Sequence, residues 1–576
     1  MQTSALARTP LFAGLDAAAL AEVERQLRPR RFAVREALCR EGDAGESLFV
    51  IEGGVAQVLV GGAAVARLRR GDVVGEMALL TGEARSATVV AATPVAAHEL
   101  RREAFAALLA RHPAVLTNLT AILSRRLART SARRAAEERR GEAVALLVDE
   151  RGTDLVAGLV AAAAAASPRG VRAVALRTQD SGLRTKWAEV GGDLVLSPAD
   201  ALGRLDDLLA TSGTVLLVAD VGGDELPGLL EQVDRAVALV GEEGAGRLTA
   251  RLGEEAGRVE VALVREADGS APAAIAGLRV VRACDPARPG PDLAWLGRHV
   301  TRTKLGLALG AGGAKGYAHI AALALLEGAG YTVDYVAGSS IGALIGAWLA
   351  LGRDAAAIEA TMRAAFTPDN VAAMFKLSMS GLSSGLEVMT RVCRETTADA
   401  SFADLTIPLV MMAVDLDARE PAPIVDGALW EGLLAALAVA GVYPPHERAG
   451  RRLVDAVALV PVPTEAVAAA GADVTVAVNL LSRDTLPAWP GEAPPPPPAA
   501  GRARMLDTLM EVMDLAQLDA SVRHAALADV TITPRFGPAN WRDFHLADLF
   551  LDTGREAAAP GLDALRALAR PQRAAG

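Results

Sequence analysis

The sequence predicts a multidomain protein with an N-terminal β-roll, a middle α/β region and a C-terminal α/β domain. Three observations carry this prediction. Short apolar runs broken by glycines lie near the start, buried-strand patterns alternate with helical patterns in the middle, and two strand–turn–helix units follow residue 303. At 576 residues the chain is too long for one hydrophobic core. We expect domains at 1–130, 131–300 and 301–576.

The composition and charge narrow the possible classes of protein. Apolar residues make up 51% and charged residues 22% of the chain, as in ordinary globular proteins. The net charge of −10 argues against a nucleic-acid-binding protein. Cys39, Cys284 and Cys393 are far apart in sequence, which fits a reducing compartment and gives no disulfide framework. No signal-peptide pattern or membrane-span-length apolar run is found, so we expect a cytoplasmic protein, soluble or peripheral at a membrane.

The first domain starts with an apolar helical pattern at 17–27 and continues with short apolar runs that end in glycine turns. Such runs are typical of a small antiparallel roll or barrel. Its most informative segment is GEMALLTGEARSATV at 75–89. A turn of backbone N–H groups can cradle an anion, and an arginine offers a fork of donors to phosphate oxygens. A glutamate nine residues before the arginine can accept a hydrogen bond from a sugar hydroxyl.

This segment resembles the phosphate-binding cassette of the cyclic-nucleotide-binding domains, and the resemblance covers roughly residues 10–130. It implies that Arg85 pairs with the cyclic phosphate, helped by Ser86, and that Glu76 holds the ribose 2′-OH. The residues implied to bind the nucleotide are Gly75, Glu76, Met77, Ala78, Arg85 and Ser86. The choice among cAMP, cGMP and a cyclic dinucleotide stays open. The alternative is a structural salt bridge between Glu76 and Arg85 in a roll that has lost its ligand.

The middle region alternates strand and helix patterns after a charged connector, RTSARRAAEERR, at 129–140. Such alternation predicts a parallel sheet with crossover helices. No GxxxxGK[ST] phosphate loop is present, so we expect a structural relay without chemistry of its own. The predicted strands are 143–148, 171–176, 214–220, 235–241, 259–264 and 278–283.

The last domain contains two turns that suit nucleophilic catalysis. The segment LGLALGAGGAKGYAHIAALALLEGAG (305–330) reads as a strand, a glycine-rich turn and a helix, and its backbone N–H groups could form an oxyanion hole. The next unit contains Gly338-Ser339-Ser340-Ile341-Gly342, a G-x-S-x-G nucleophile elbow that lifts Ser340 above the sheet end. Ser339 is in the wrong register for this motif.

This pair of turns resembles the patatin-like phospholipases, whose loop reads GGG[AILV][KR]G. The cyclic-nucleotide domain in front resembles the neuropathy target esterase branch, and the resemblance covers nearly all of 303–560. It implies a Ser–Asp dyad without histidine that hydrolyses acyl esters of lipids or lysophospholipids with no catalytic cofactor. Ser340 would be the nucleophile, and the backbone at Gly312, Gly313 and Ala314 would form the oxyanion hole.

The position of the acid follows from the same resemblance. The family's aspartate follows a proline pair and a leucine–valine pair, which here points to Asp455. The literal DGA motif at Asp426 comes too early in the chain. Three stretches depart from the family pattern, and they leave open a catalytically impaired sensor or scaffold that binds cyclic nucleotide. These stretches are Ala456-Val457, Val460-Pro461-Val462-Pro463 and Gly310-Ala311-Gly312-Gly313.

Two further patterns complete the sequence-based prediction. The proline-rich stretch at 485–501 is expected to be a surface excursion, because proline runs favour extended polyproline II. The histidines form no cluster with metal-ligand spacing, so we expect no metal site.

Overall fold

The computed structural model separates the chain into two compact units, Met1–Arg139 and Arg140–Gly576. The charged connector and the proline-rich stretch lie outside the described residues, and the three-domain boundaries stay a prediction. The structure describes residues 9–571 except 13–14, 34–35, 61–62, 69–71, 82–83, 113–114, 116–117, 119–140, 177–194, 225, 266–276, 375–384, 482–501 and 538.

The first unit is a β-roll of two four-stranded sheets. One sheet has the order β1-β8-β3-β6 and the other β2-β7-β4-β5, and every ladder is antiparallel, which confirms the predicted roll. Its strands are Arg28–Phe32 (β1), Ala37–Cys39 (β2), Ser47–Gly53 (β3), Ala56–Val60 (β4), Ala63–Leu68 (β5), Val73–Val74 (β6), Thr88–Ala91 (β7) and Val95–Arg101 (β8). Its described helices are Ala17–Gln26 (α1), Glu76–Thr81 (α2) and Arg102–Arg111 (α3), with a 3-10 turn at Pro10–Phe12.

The second unit begins with a seven-stranded parallel sheet in the order β11-β10-β12-β9-β13-β14-β15, which confirms the predicted crossover architecture. Runs of Val, Leu and Ala suit it because helices cover both faces. The strands are Glu142–Val148 (β9), Val171–Leu176 (β10), Val195–Leu196 (β11), Thr214–Asp220 (β12), Arg235–Val240 (β13), Val259–Val264 (β14) and Arg279–Cys284 (β15). The helices are Glu150–Thr153 (α4), Val156–Ala166 (α5), Pro198–Gly203 (α6), Leu205–Thr211 (α7), Leu226–Leu230 (α8), Glu242–Leu252 (α9) and Gly290–Val300 (α10), with a 3-10 turn at Gly253–Arg258.

An eight-stranded mixed sheet follows in the same unit, in the order β20-β21-β18-β17-β16-β22-β23, with β19 paired to β18. Its strands are Leu305–Leu309 (β16), Val333–Ser339 (β17), Leu409–Asp415 (β18), Glu420–Ile424 (β19), His446–Arg448 (β20), Arg451–Asp455 (β21), Val474–Val478 (β22) and Val530–Ile532 (β23). Its helices are Tyr317–Gly328 (α11), Ile341–Ala350 (α12), Ala355–Ala365 (α13), Pro368–Met374 (α14), Gly385–Thr397 (α15), Leu429–Ala436 (α16), Thr464–Ala469 (α17), Arg502–Ala525 (α18) and Ala547–Leu568 (α19). Shorter 3-10 turns lie at Gly313–Gly316, Phe402–Asp404, Ala456–Ala458 and Phe544–Leu546.

Strand β17 carries an ion pair at its start and the candidate nucleophile just past its end. Near the start, Arg298 of α10 donates to both carboxylate oxygens of Asp334 at 2.9 and 2.7 Å, and both side chains are buried. The Leu305 amide also donates to Asp334, at 3.0 Å. The middle sheet's last helix is therefore fastened to the start of the strand that leads to Ser340.

Two further features concern the surface of the second unit. Strand β19 carries Pro421 and Pro423 and pairs only with β18 among the described strands. Among the helices of the described ranges, none combines the length and apolar character needed to cross a membrane.

Candidate active site and ligand pocket

Ser340 occupies the strained turn that joins β17 to α12. Its backbone has φ 54° and ψ −124°, a conformation that a residue with a side chain rarely adopts and that marks strained functional sites. Helix α12, which follows this turn, approaches the sheet closely at Gly342. A Cβ on Gly342 would lie 2.2 Å from the Leu309 carbonyl oxygen of the adjacent strand. The elbow therefore has the backbone geometry that the sequence motif predicts.

Asp455 lies at the end of β21, with Ala413 of β18 as its register partner, and is 2% exposed. Its Oδ1 accepts the Val457 amide at 2.8 Å, whereas Oδ2 is buried without a hydrogen-bond partner among the described residues. Burial raises the pKa of Asp455 to about 6, and the Ser340 hydroxyl opposes this rise by stabilising the carboxylate. The two side chains thus face each other without a well-aligned bond to Oδ2. A buried carboxylate with a raised pKa and one oxygen without a hydrogen-bond partner among the described residues, beside a hydroxyl, is suited to accept the hydroxyl proton.

The departures that follow Asp455 fit into this geometry. Ala456 and Val457 begin a 3-10 turn, and neither has the positive φ that would require glycine. The Asp455 carboxylate caps this turn by accepting a hydrogen bond from the Val457 amide, so Val457 does not displace the carboxylate. The rejected alternative, Asp426, is exposed and pairs with Arg448 at 2.6 Å. The geometry therefore favours Asp455 over Asp426.

The glycine-rich loop presents fewer free amides than the sequence predicts. Gly313 has φ 58°, and a Cβ there would lie 2.3 Å from the Trp541 carbonyl oxygen. The Ala314 amide donates to that same oxygen at 2.7 Å. Because this donor is already used, Ala314 does not fit its predicted role in the oxyanion hole. Gly312 and Gly313 remain as candidate donors.

His319, on α11, is hydrogen-bonded to the start of the glycine-rich loop. Its ring is fully buried, and Nε2 lies 2.8 Å from the Gly310 carbonyl oxygen. Burial lowers the pKa of His319 to about 4, so the ring is neutral at physiological pH and donates from Nε2. The histidine supports the loop and is not placed as a base for Ser340.

Sequence reasoning missed three contacts at this site. The hydroxyl of Ser339 donates to the Val460 carbonyl at 2.6 Å, and the Ala311 amide donates to the Pro461 carbonyl at 2.9 Å. Trp541, more than 200 residues after the glycine loop, supplies the acceptor for Ala314. A second hydroxyl beside the nucleophile was a visible signal for the first contact. Nothing local in the sequence signals Trp541.

The predicted nucleotide site forms a pocket in the roll with a volume of about 190 Å³. Arg85 is buried at its wall and donates to the carbonyls of Gly75 at 2.7 Å and Ser47 at 2.5 Å. These bonds use two of the five guanidinium donors. Glu76 is also buried. Apolar side chains line the rest of the pocket that contains Arg85 and Glu76. Five of the six predicted residues line this pocket or its rim, namely Gly75, Glu76, Ala78, Arg85 and Ser86, and Met77 lies between them on α2.

The described ranges contain no group of three or more His, Cys, Asp or Glu side chains arranged to hold a metal ion. The three cysteines are free thiols.

Comparisons with known proteins identify two of the domain types. Residues 307–468 match the family described as "Patatin-like phospholipase", and residues 29–112 match "Cyclic nucleotide-binding domain". An uncharacterised NTE family protein of Mycobacterium tuberculosis is 34% identical over 33% of this chain, and the match spans only 52% of that relative's length. A second one from the same organism is 24% identical over 98% of this chain and 97% of its own.

More distant similarities extend this result. Neuropathy target esterase sws of Drosophila melanogaster is 30% identical over 34% of this chain and 14% of its own length. Among solved structures, the catabolite activator protein of Thermus thermophilus is 28% identical, covering 26% of this chain and 68% of that one. The TM-score of this match is 0.21. The chain carries a patatin-like phospholipase domain after an N-terminal cyclic nucleotide-binding domain, and a relative similar over nearly its whole length is named an NTE family protein.

Proposed function

We propose that this protein is a serine esterase that hydrolyses acyl esters of phospholipids or lysophospholipids through a dyad of Ser340 and Asp455. One observation carries the proposal. A serine in a strained elbow faces a buried carboxylate whose pKa is raised to about 6 and whose Oδ2 has no other partner among the described residues. The patatin-like match over 307–468 supports the lipid class of the substrate.

The proposed reaction proceeds in two steps. Ser340 Oγ attacks the acyl carbonyl carbon while its proton passes to Asp455, and the amides of Gly312 and Gly313 stabilise the oxyanion. The tetrahedral intermediate collapses, and the leaving alcohol takes the proton from Asp455. Water then attacks the acyl-enzyme and gives a proton to Asp455. The second tetrahedral intermediate collapses, the bond to Ser340 Oγ breaks, and Oγ takes the proton from Asp455 as the fatty acid leaves.

Ester hydrolysis by the full chain tests this proposal. The substrates are a short acyl ester and a lysophospholipid, and the proteins are wild type, Ser340→Ala and Asp455→Asn. We expect hydrolysis by wild type and its loss in both variants. Wild type as inert as both variants on both substrates would favour the second candidate, a catalytically impaired patatin-fold sensor or scaffold.

We further propose that a cyclic nucleotide, cAMP or cGMP, binds the roll and regulates hydrolysis, with no cofactor needed for the reaction itself. The pocket lined by Arg85 and Glu76 and the match over 29–112 support nucleotide binding. The same assay with and without cAMP or cGMP measures the regulation. If saturating nucleotide leaves the rate of hydrolysis unchanged, the roll does not regulate hydrolysis and can at most bind nucleotide.

The remaining parts of the proposal concern organisation and location. We retain boundaries at 1–130, 131–300 and 301–576, with the middle part as a connector. We propose a cytoplasmic protein, because its cysteines are free thiols, as in a reducing compartment. Peripheral contact with a membrane follows from a lipid substrate, and the net charge of −10 disfavours nucleic acid as a partner.

A further inference from the structure

The residue before the nucleophile makes a contact that the G-x-S-x-G motif does not require. Ser339 is the last residue of β17, lies in register with Met412 of β18, and is fully buried. Its hydroxyl donates to the Val460 carbonyl at 2.6 Å, across 121 positions of sequence. The strand that leads to the nucleophile is thereby bonded to the turn that follows Asp455.

This turn, residues 455–461, is braced internally and is called the acid turn below. The amides of Leu459 and Val460 both donate to the Ala456 carbonyl, at 3.0 and 2.8 Å. At the start of the turn, the Asp455 side chain accepts from the Val457 amide, and the Asp455 amide donates to the Ala438 carbonyl at 3.0 Å. A shift of Val460 is therefore transmitted back to Asp455.

The acid turn also reaches the oxyanion loop. Its last residue, Pro461, accepts the Ala311 amide at 2.9 Å, next to Gly312. One short segment therefore contacts the nucleophile strand through Ser339, holds the acid at Asp455 and touches the glycine loop. Two of the stretches that depart from the family pattern, Ala456-Val457 and Val460-Pro461-Val462-Pro463, contribute residues to this bonded segment.

We infer that Ser339 is a positioning residue, whose hydroxyl fixes the acid turn so that the Asp455 carboxylate faces Ser340. This inference rests on the proposed function. Loss of the hydroxyl leaves a buried carbonyl at Val460 without this donor and frees the turn to relax. Sub-ångström misplacement of an acid or base is costly because proton transfer needs close, aligned groups.

The first test compares kinetics of the full-length Ser339→Ala and Ser339→Thr variants with wild type. Ser167→Ala is a matched control, because Ser167, at the end of α5, is a buried serine whose hydroxyl donates to the Gly170 carbonyl at 3.2 Å. For Ser339→Ala we expect kcat to fall on the order of 10- to 100-fold with KM little changed. Ser339→Thr, which keeps a hydroxyl, should recover most of the rate, and Ser167→Ala should match wild type.

The second test does not depend on turnover. Thermal unfolding across pH 4–8 is compared for wild type and Ser339→Ala, each with and without Asp455→Asn. The pH dependence that Asp455→Asn removes reports the pKa of Asp455, which we expect to differ between the two backgrounds because Ser340 no longer faces the carboxylate in Ser339→Ala.

The outcomes separate this inference from the proposed function. An inert wild type would overturn the esterase proposal, while a shifted Asp455 titration would still support the role of Ser339. If Ser339→Ala keeps wild-type kcat, or leaves the Asp455 titration unmoved, the positioning role is wrong. A lower melting temperature in Ser339→Ala with unchanged kcat and titration would reduce the contact to ordinary structural support.

Discussion

Under the proposed mechanism, ionised Asp455 promotes catalysis but lowers the stability of the fold. A carboxyl whose pKa rises from about 3.9 in the unfolded chain to about 6 in the folded protein binds its proton more tightly when folded. Its contribution to stability is therefore greatest below about pH 4 and is lost as pH rises through 6. Above that pH, the ionised side chain costs the fold free energy.

Asp455→Asn should abolish hydrolysis and yet raise the free energy of unfolding at pH 8 by roughly 2 to 3 kcal/mol. An asparagine Oδ1 can still accept the Val457 amide, while the buried charge disappears. Denaturant unfolding at pH 8 and at pH 4 measures both effects. The gain should shrink at pH 4, and an equal gain at both pH values would contradict the assignment.

The same titration predicts the pH profile of the reaction. Asp455 accepts a proton only when it is ionised, so kcat/KM should rise with pH and level off above an apparent pKa of about 6. Initial rates between pH 4.5 and 9 at low substrate concentration test this. A second rise near neutral pH would instead indicate a histidine base, which His319, neutral and bonded to Gly310, does not provide.

At the scale of elements, the contact of α12 with the sheet decides whether the elbow forms. Gly342→Ala would place a Cβ 2.2 Å from the Leu309 carbonyl oxygen, a backbone atom that cannot move without the strand. We expect loss of soluble, folded protein or of nearly all hydrolysis. Gly346→Ala, one turn later on the same helix, meets only side-chain atoms at 3.2 Å and should keep fold and activity. Circular dichroism and the ester assay distinguish the two.

The elements themselves could be predicted from local pattern. Six strands of the middle sheet are runs rich in Val, Leu and Ala, so their bounds agree with the predicted ones to within one residue. The seventh, the two-residue β11, was not predicted, because so short a strand leaves little pattern in the sequence. The elbow was predictable because its glycines and serine are adjacent in sequence. The Trp541 carbonyl that uses the Ala314 amide was not, because it depends on a tertiary contact more than 200 residues away. The raised pKa of Asp455 likewise follows from burial, which sequence alone does not give.

At the scale of the whole molecule, the Arg298–Asp334 pair joins α10, which packs against the middle sheet, to β17 of the mixed sheet. Removing one partner leaves the other charge buried, so Asp334→Ala should cost about 3 to 5 kcal/mol of unfolding free energy. Asp417→Ala, which breaks the exposed pair with Arg452, is the control and should leave the melting temperature nearly unchanged. Equal losses in both variants would contradict the role given to the buried pair.

The division into two compact units makes nucleotide binding measurable without catalysis. We expect calorimetry to resolve separate transitions for Met1–Arg139 and Arg140–Gly576. Saturating cAMP or cGMP should raise the transition of the first unit, because a ligand that binds only the folded state stabilises it. Arg85→Lys should reduce this shift, since lysine lacks the guanidinium fork. A parallel rise of the second transition would measure coupling between the units.

The prolines of β19 have a consequence for how this protein behaves at high concentration. An edge strand of a sheet can pair with a strand from another molecule through its free amide hydrogens. Pro421 and Pro423 remove two of these hydrogens from a five-residue strand, which leaves little for an incoming chain to bind. The two prolines therefore protect the edge strand β19 against fibril-like self-association, in a chain rich in alanine, valine and leucine.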